Sequence, residues 1–472
     1  MLSYLQRRES RAVSVRSRIM LKTIENHIKG KSVAVLGFGR EGRATLPWVL
    51  KADCASRIAV VDKNPVTLPE ELKDCSKDIE LITGDDYQKC LNNFDVIFKS
   101  PGIVLEEEKD FYTCKILSEM DIFFERFKNQ IIGITGTKGK STTTTLMHHL
   151  LKTAGKKTLL AGNIGIPVFD IAKDIDDETI LVVELSCHQL EYATISPYIG
   201  VLLNIHEEHL DHYGTMEKYT AAKENIYKNM VAGDTVFCQQ SIAPTGGDME
   251  LVTVSAKGIA GDESADIYVD GGAIKYGDLV YEIPVDEIAL MGNHNYYDIA
   301  FVYGIAKKFG LTDQVIEEGL KTYETLPHRL QRIGVINGVT YYDDSISTID
   351  ETTIQALNTL KNAGTVIIGG MDRGISYEAL EEYLSTATVE NIILMEATGK
   401  RIYEEIKINY PSFNKIERIK VVEHLEDAVK LAKELTKAGQ SCVMSPAAAS
   451  YGIFKNFEER GDVFKKLVLG VE

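Results

Sequence analysis

Short apolar runs recur along this chain, most of them closing at a glycine, a serine or an acid and followed by a longer stretch of helical spacing. Residues 31–36, 57–62 and 94–98 form a first group, residues 130–135, 179–184 and 199–204 a second, and residues 339–345, 364–370, 391–395 and 441–445 a third. Runs that are apolar throughout, without alternation, fit strands covered on both faces of a parallel sheet. Strand followed by helix, repeated in three blocks, predicts an α/β chain of three domains. Residues 240–290 are rich in Gly and Asp with short strand patterns, and are expected to be a subdomain insertion without readable chemistry.

Two junctions between a strand and a helix carry glycine. The strand ending at Leu36 runs into Gly37-Phe-Gly39-Arg40-Glu41-Gly42, and the strand 57–62 ends in Asp62 about 20 residues later. Glycines in that turn let backbone amides approach a diphosphate, and Asp62 can accept from a base or ribose. The same glycines also serve plain strand–helix packing. The strand ending at Thr135 runs into Gly136-Thr137-Lys138-Gly139-Lys140-Ser141-Thr142 and then a helix. Here amides and a helix N-terminus face an anion, Lys140 supplies a point charge, and the Ser141 hydroxyl can bind Mg²⁺. Ile134 stands where the strict phosphate-loop pattern has its first Gly. The fold expected is thus a Rossmann-like N-terminal domain (20–128), a central P-loop-type ATPase domain with a parallel sheet (129–325) and a Rossmann-like C-terminal domain (326–472).

Further candidates sit at strand ends. Glu184 closes a strand at its carboxyl end, where α/β ligand sites lie, and a divalent cation wants such a carboxylate beside nucleotide phosphates. The segment His206-Glu-Glu-His209-Leu-Asp211-His212 suggests zinc if read alone. It lacks the His-Glu-x-x-His spacing, and its place after a strand favours the rim of a nucleotide or metal site, with solvated loop histidines as the plain alternative. In the third block, small residues 446–452 follow the last strand and expose backbone amides again.

Composition narrows the partners. With 52 basic against 69 acidic residues the 472-residue chain carries a net charge of −17, which repels phosphate backbones and argues against a nucleic-acid partner. No apolar run reaches the roughly 20 residues of a membrane helix. Residues 1–19 hold five arginines and no apolar signal core, so we expect a disordered extension irrelevant to chemistry, with Met20 opening the regular pattern. Seven scattered cysteines without a Cys-x-x-Cys spacing fit reduced thiols in the cytoplasm.

With the phosphate loop, Glu184-Leu-Ser186-Cys-His-Gln189 and Ser445-Pro-Ala-Ala-Ala-Ser450 in view, residues 30–470 resemble the muramyl ligases, the ATP-dependent amide-forming enzymes of peptidoglycan precursor synthesis. The resemblance implies addition of glutamate to UDP-N-acetylmuramoyl-L-alanine through an acyl phosphate, by a cytoplasmic monomer. It implies ATP and two Mg²⁺ as cofactors. Thr135 to Ser141 matches the family's Thr-Gly-Thr-x-Gly-Lys-Ser, placing Gly136, Thr137, Lys138, Gly139, Lys140, Ser141 and Thr142 on ATP, joined by Asn295, Arg329 and Asp344. Ser141, Glu184, His209 and Lys223 would hold metal, Lys223 as a carbamate; Lys140, Glu184, His209 and Lys223 would be catalytic. The UDP-linked substrate would meet Gly39, Arg40, Glu41, Gly42, Asp62, Ser100, Gly102, Asn163, Ser186 and Gln189. Glutamate would meet Thr348, Arg373, Ser450 and Phe457.

Departures from the pattern are Ile346 in place of Lys, Asp298 in place of Asn and Arg373 in place of Lys. D-glutamate is the expected amino acid, with L-glutamate, which variants of the family take, as the alternative. A folylpolyglutamate synthase-like ligase shares the ATPase design but lacks a separate UDP-binding segment. An NAD(P) oxidoreductase would explain the first glycine turn and leave Lys140 without a role. A non-catalytic nucleotide-binding regulator would leave the set Lys140, Glu184, His209 and Lys223 unexplained.

Overall fold

The computed structural model describes residues 18–73, 79–259, 261–411, 413 and 416–471. Residues 1–17 of the expected extension, and Cys75, lie outside these. Regular structure begins before Met20: residues 18–28 form a helix whose Met20, Ile24 and Ile28 are fully buried.

Among the described residues the strands form three sheets. The first is parallel throughout, with β1 (Ser32–Leu36), β2 (Arg57–Asp62), β3 (Ile79–Thr83), β4 (Val96–Lys99) and β5 (Lys115–Leu117) in the order β3-β2-β1-β4-β5. The order turns back between β1 and β4, so the β1 and β4 loops open a crevice at the carboxyl ends, where ligands bind in such sheets.

The second sheet comprises β6 (Ile131–Thr135), β7 (Thr158–Gly162), β8 (Ile180–Glu184), β9 (Ile199–Leu202), β10 (Thr235–Gln239), β11 (Glu250–Ala256), β12 (Ile267–Asp270), β13 (Ala273–Tyr276) and β14 (Leu279–Glu282). Its order is β14-β13-β12-β11-β10-β9-β6-β8-β7. All five residues of β6 are buried, as the uniformly apolar run requires. Residues 240–290 are not a subdomain: β11 and β12 continue the sheet in parallel and β13–β14 complete it as an antiparallel edge. The reason is that the free edge of β10 presents unpaired backbone groups that β11 satisfies.

The third sheet holds β15 (Gln331–Ile336), β16 (Val339–Asp343), β17 (Ala363–Gly369), β18 (Asn391–Met395), β19 (Ile419–Val422) and β20 (Ser441–Met444), in the order β15-β16-β20-β17-β18-β19. Only the β15–β16 pair is antiparallel.

The chain divides into two compact units, Met1–Ile288 with Asn293–Tyr323, and Ala289–Gly292 with Glu324–Glu472. The first unit contains the first and second sheets. One buried cluster runs through both, from Val33, Leu46 and Phe123 to Ile131, Phe169 and Val183. The Trp48 indole donates to Phe169 O at 3.1 Å across the same seam. Among the described residues no helix is long and apolar enough to cross a membrane.

Candidate active site

In the first unit the phosphate loop is built as its glycines demand. Gly136 and Gly139 take φ of +156° and +82°, conformations that cost a residue with a Cβ. Gly139 then caps the helix Lys140–Thr153. A Cβ at Gly139 would stand 2.5 Å from Asp298 Oδ1, so the loop packs directly on the helix Asn293–Lys308, whose first turn carries Asn295.

The loop is closed by side chains from elsewhere. Asn204 Oδ1 accepts from the amides of Thr137 (3.0 Å) and Lys138 (2.8 Å). Those two amides are therefore engaged, and the amides at the start of the helix are left to face an anion. The Lys140 ammonium donates to Gly136 O (3.0 Å) and Thr137 O (2.9 Å). Burial holds it below its usual value, with Glu184 and Glu208 opposing the shift. Lys223, 1% exposed, donates to the same Gly136 O at 2.7 Å. Burial first and the Lys140 charge second bring it down to about 8.

Glu184, at the end of β8, is 2% exposed. Its Oε1 accepts from Asn163 Nδ2 at 2.7 Å, while Oε2 is buried without a partner. Gly162 makes this possible: at φ +98° a Cβ would overlap Glu184 O. An orphaned carboxylate oxygen in a buried site costs free energy unless a cation meets it. Among the described residues no group of three His, Cys, Asp or Glu side chains is arranged to hold a metal. The donor set instead fits Mg²⁺ shared between Glu184, a hydroxyl such as Ser141, and nucleotide phosphates. His209 sits in a left-handed conformation, φ +58°. Its ring lies 4.9 Å from that of His188 and 6.2 Å from Tyr219. The Tyr219 hydroxyl is 2.9 Å from Thr137 Oγ1, tying the His209–Lys223 region to the loop.

At the first glycine turn, Asp62 uses both oxygens on backbone, accepting from Phe38 N (2.7 Å) and Asn64 N (2.8 Å). Ser100 Oγ donates to Gly37 O at 2.8 Å, and a Cβ at Gly42 would overlap that carbonyl. Gly39, Arg40 and Gly102 are exposed, and the Arg40 guanidinium points at Gly165 of the turn that follows Asn163. Ser186 caps the short helix Cys187–Leu190 in a reciprocal box with Gln189, and Gln189 Nε2 donates to Glu41 Oε1 at 2.7 Å.

Sequence reasoning passed over the surroundings of that bond. Lys99 is buried and lies 3.6 Å from Glu191 Oε2. Glu119 is 3% exposed, and its carboxylate meets no side-chain partner, only the backbone amide of Val168. The available signal was Lys99 itself, a lysine closing a buried strand just before Ser100-Pro101-Gly102.

The second unit carries Arg329, Asp344 and the glutamate candidates. His328 and Leu330 take φ of +63° and +41°, flanking the exposed Arg329 in a strained turn. Two acids at the end of β16 brace it. Asp343 Oδ2 meets His328 Nδ1 at 2.7 Å, and this contact holds the imidazole above its usual value. Asp344 accepts from Leu330 N, Ser347 Oγ and Ser445 Oγ, and burial pushes it up to about 6.

Arg373 donates to Thr348 O at 2.7 Å, and Met371 bridges to Ala449 beside the buried Ser450. Ser345 Oγ donates to Phe457 O. Arg460, fully buried, donates to Ser345 Oγ, Ser345 O and Ala448 O. The loops bearing Thr348, Ser450 and Phe457 are thus held from beneath by one guanidinium, an organising residue that the sequence did not single out.

The Mur ligase middle domain family matches residues 134–306. The UDP-N-acetylmuramoylalanine–D-glutamate ligase of Acetivibrio thermocellus is 32% identical over 469 residues, 96% of this chain and 99% of that protein. The ligase of the same name from Caldanaerobacter subterraneus subsp. tengcongensis is 34% identical over 94% of this chain and 99% of that one. Among solved structures, the UDP-N-acetylmuramate-alanine ligase of Thermotoga maritima matches with a TM-score of 0.56 at 17% identity, covering 93% of this chain and 99% of that one. The MurF ligase of Thermotoga maritima in complex with ADP matches at 0.54, 17% identity and 94% and 97% coverage. These structural likenesses show the fold.

Proposed function

Since the chain belongs to the Mur ligase family, we propose that it joins the L-alanine carboxylate of UDP-N-acetylmuramoyl-L-alanine to the amine of D-glutamate. It is an ATP-dependent amide-bond-forming ligase of peptidoglycan precursor synthesis. The observation that carries the glutamate step is identity along the whole length to relatives named for D-glutamate. It favours the D enantiomer over the L form despite Ile346, Asp298 and Arg373. We take the enzyme to act as a cytoplasmic monomer.

A carboxylate is a poor acyl donor, so the reaction needs an activated intermediate. The alanine carboxylate attacks the γ-phosphate of ATP, ADP leaves, and the resulting acyl phosphate is attacked by the neutral amine of glutamate, releasing phosphate. Bound Mg²⁺ would neutralise charge on the phosphates, with Glu184 Oε2, Ser141, His209 and Lys223 as the residues to hold it, two ions in all. Lys140 would leave its carbonyl partners for the transferring phosphate. The turn Gly39–Gly42, Asp62, Ser100 and Gly102 would take the uridine diphosphate, with Asn163, Ser186 and Gln189 toward the muramoyl part. Asn295, Arg329 and Asp344 would serve ATP, directly or by holding the loop. Thr348, Arg373, Ser450 and Phe457 would orient glutamate. The three domains 20–128, 129–325 and 326–472 would divide these tasks in that order.

Lys223 would act as its carbamate. A buried amine brought down to about 8 is neutral often enough near pH 8 to capture CO₂, and the anion formed would suit a hard cation better than the Gly136 carbonyl that the ammonium now meets. The deciding assay is phosphate release from ATP with UDP-N-acetylmuramoyl-L-alanine and each glutamate enantiomer supplied separately. Release with D-glutamate alone is expected; release only with L-glutamate, or with neither, overturns the reading.

A further inference from the structure

An acid in the first turn of a helix that faces a diphosphate needs explaining. Glu41 stands there: Gly39 caps the helix Arg40–Ala52, and Glu41 is its second residue. Its Oε1 is held by Gln189 Nε2. Glu41, Thr45, Phe98, Lys99, Ser100 and Glu119 line one small cavity behind the glycine turn. Glu119 enters it from the helix Glu119–Phe127, its carboxylate with no partner beyond the backbone amide of Val168.

Every charged group facing this pair counts. Lys99, at the end of β4, and Arg40, on Glu41's own helix, favour the ionised form of Glu41. Lys99 is divided between Glu41 and Glu191. Asp170, on the helix Val168–Ile171, adds a further negative charge beside Glu119. Two carboxylates in one desolvated cavity, with the one lysine lining it drawn to Glu41 and Glu191, cannot both ionise cheaply. Burial brings Glu41 up to about 7, and burial with the Glu41 and Asp170 charges holds Glu119 well above the carboxylate range.

We propose that Glu41 and Glu119 form a proton-linked carboxyl pair that senses the diphosphate, so that the UDP-linked substrate binds with uptake of a proton. The inference rests on the assignment of the first glycine turn to the uridine diphosphate. A diphosphate at the helix N-terminus adds negative charge beside Glu41 and raises its affinity for a proton; by linkage, protonation raises affinity for the diphosphate by the same factor. The substrate cannot supply this titration, because its diphosphate is esterified at both ends and stays ionised through the neutral range. The sign follows: near and above pH 7 binding takes up a proton and weakens as pH rises, by at most about tenfold per pH unit for one proton. Well below pH 7 Glu41 already holds its proton and the dependence flattens.

The test is calorimetric titration of UDP-N-acetylmuramoyl-L-alanine into the full chain at pH 7.5, in two buffers of different ionisation enthalpy. It is repeated with Glu41→Gln and with Glu119→Gln, both near-isosteric and each checked for folding by circular dichroism. Wild type should take up a measurable fraction of a proton, and Glu41→Gln should abolish it and flatten affinity between pH 7 and 9. Equal proton uptake in wild type and both variants overturns the proposal while leaving the UDP site standing. Absence of binding in all three chains overturns both.

Discussion

Lys140 and Lys223, 83 positions apart, donate to the same acceptor, the carbonyl of Gly136. Two ammonium groups on one loop carbonyl raise each other's cost of charge. Beside burial, which lowers Lys223 most, the Lys140 charge lowers it further, and the loop is poised to exchange these contacts for anionic partners.

Lys140→Ala should leave the fold intact, because its partners are loop carbonyls rather than core atoms. Ligation should fall on the order of 10²–10³, the loss of several kcal/mol at a charge developing on the transferring phosphate. Phosphate-release kinetics beside circular dichroism decide it; near-normal turnover would remove Lys140 from the reaction.

Lys223→Ala should be nearly inactive, with partial recovery in acetate, a carboxylate able to enter the vacated space. Wild-type activity should rise with bicarbonate, and more steeply toward pH 8, where the amine released from its proton can capture CO₂. A variant that keeps most of its activity would end the carbamate reading.

Glu184→Gln keeps a side chain for Asn163 and loses the charge on the orphaned oxygen. The Mg²⁺ concentration giving half-maximal activity should rise roughly tenfold or more, since a hard cation loses its anionic ligand. An unchanged Mg²⁺ profile would place the metal elsewhere.

His328 is raised by Asp343, so their pairing stabilises fully below its ordinary 6.5 and is lost as pH climbs through the raised value. His328→Gln should therefore lower Tm more at pH 6 than at pH 9. A pH-independent Tm difference would mean that the contact is a neutral hydrogen bond.

Gly461→Ala places a methyl group over His328 Nδ1 and 2.6 Å from Asp343 Oδ2. Overpacking of this kind costs about 1–3 kcal/mol, and here it dislodges the turn carrying Arg329. Thermal melts should show the loss, and the KM for ATP should rise with it.

The strands legible in the sequence were those a parallel sheet covers on both faces. Residues 57–62 and 391–395 match β2 and β18 to the residue, because a doubly covered strand must be apolar throughout. Edge strands β3 and β15, with mostly half-exposed or exposed residues, gave no such run and were not expected. The phosphate loop was equally legible, since Gly136 and Gly139 answer a local backbone requirement. Sequence separation marks where legibility stopped. Lys223 reaches Gly136 across 87 positions, Gln189 reaches Glu41 across 148, and Arg460 reaches Ser345 across 115. Local rules of burial and dihedral preference act within a strand or a turn and are written in neighbouring residues. The desolvation and shared partners that shift Glu41, Lys223 and Asp344 arise only when distant elements enclose them, and that was decided by the tertiary structure alone.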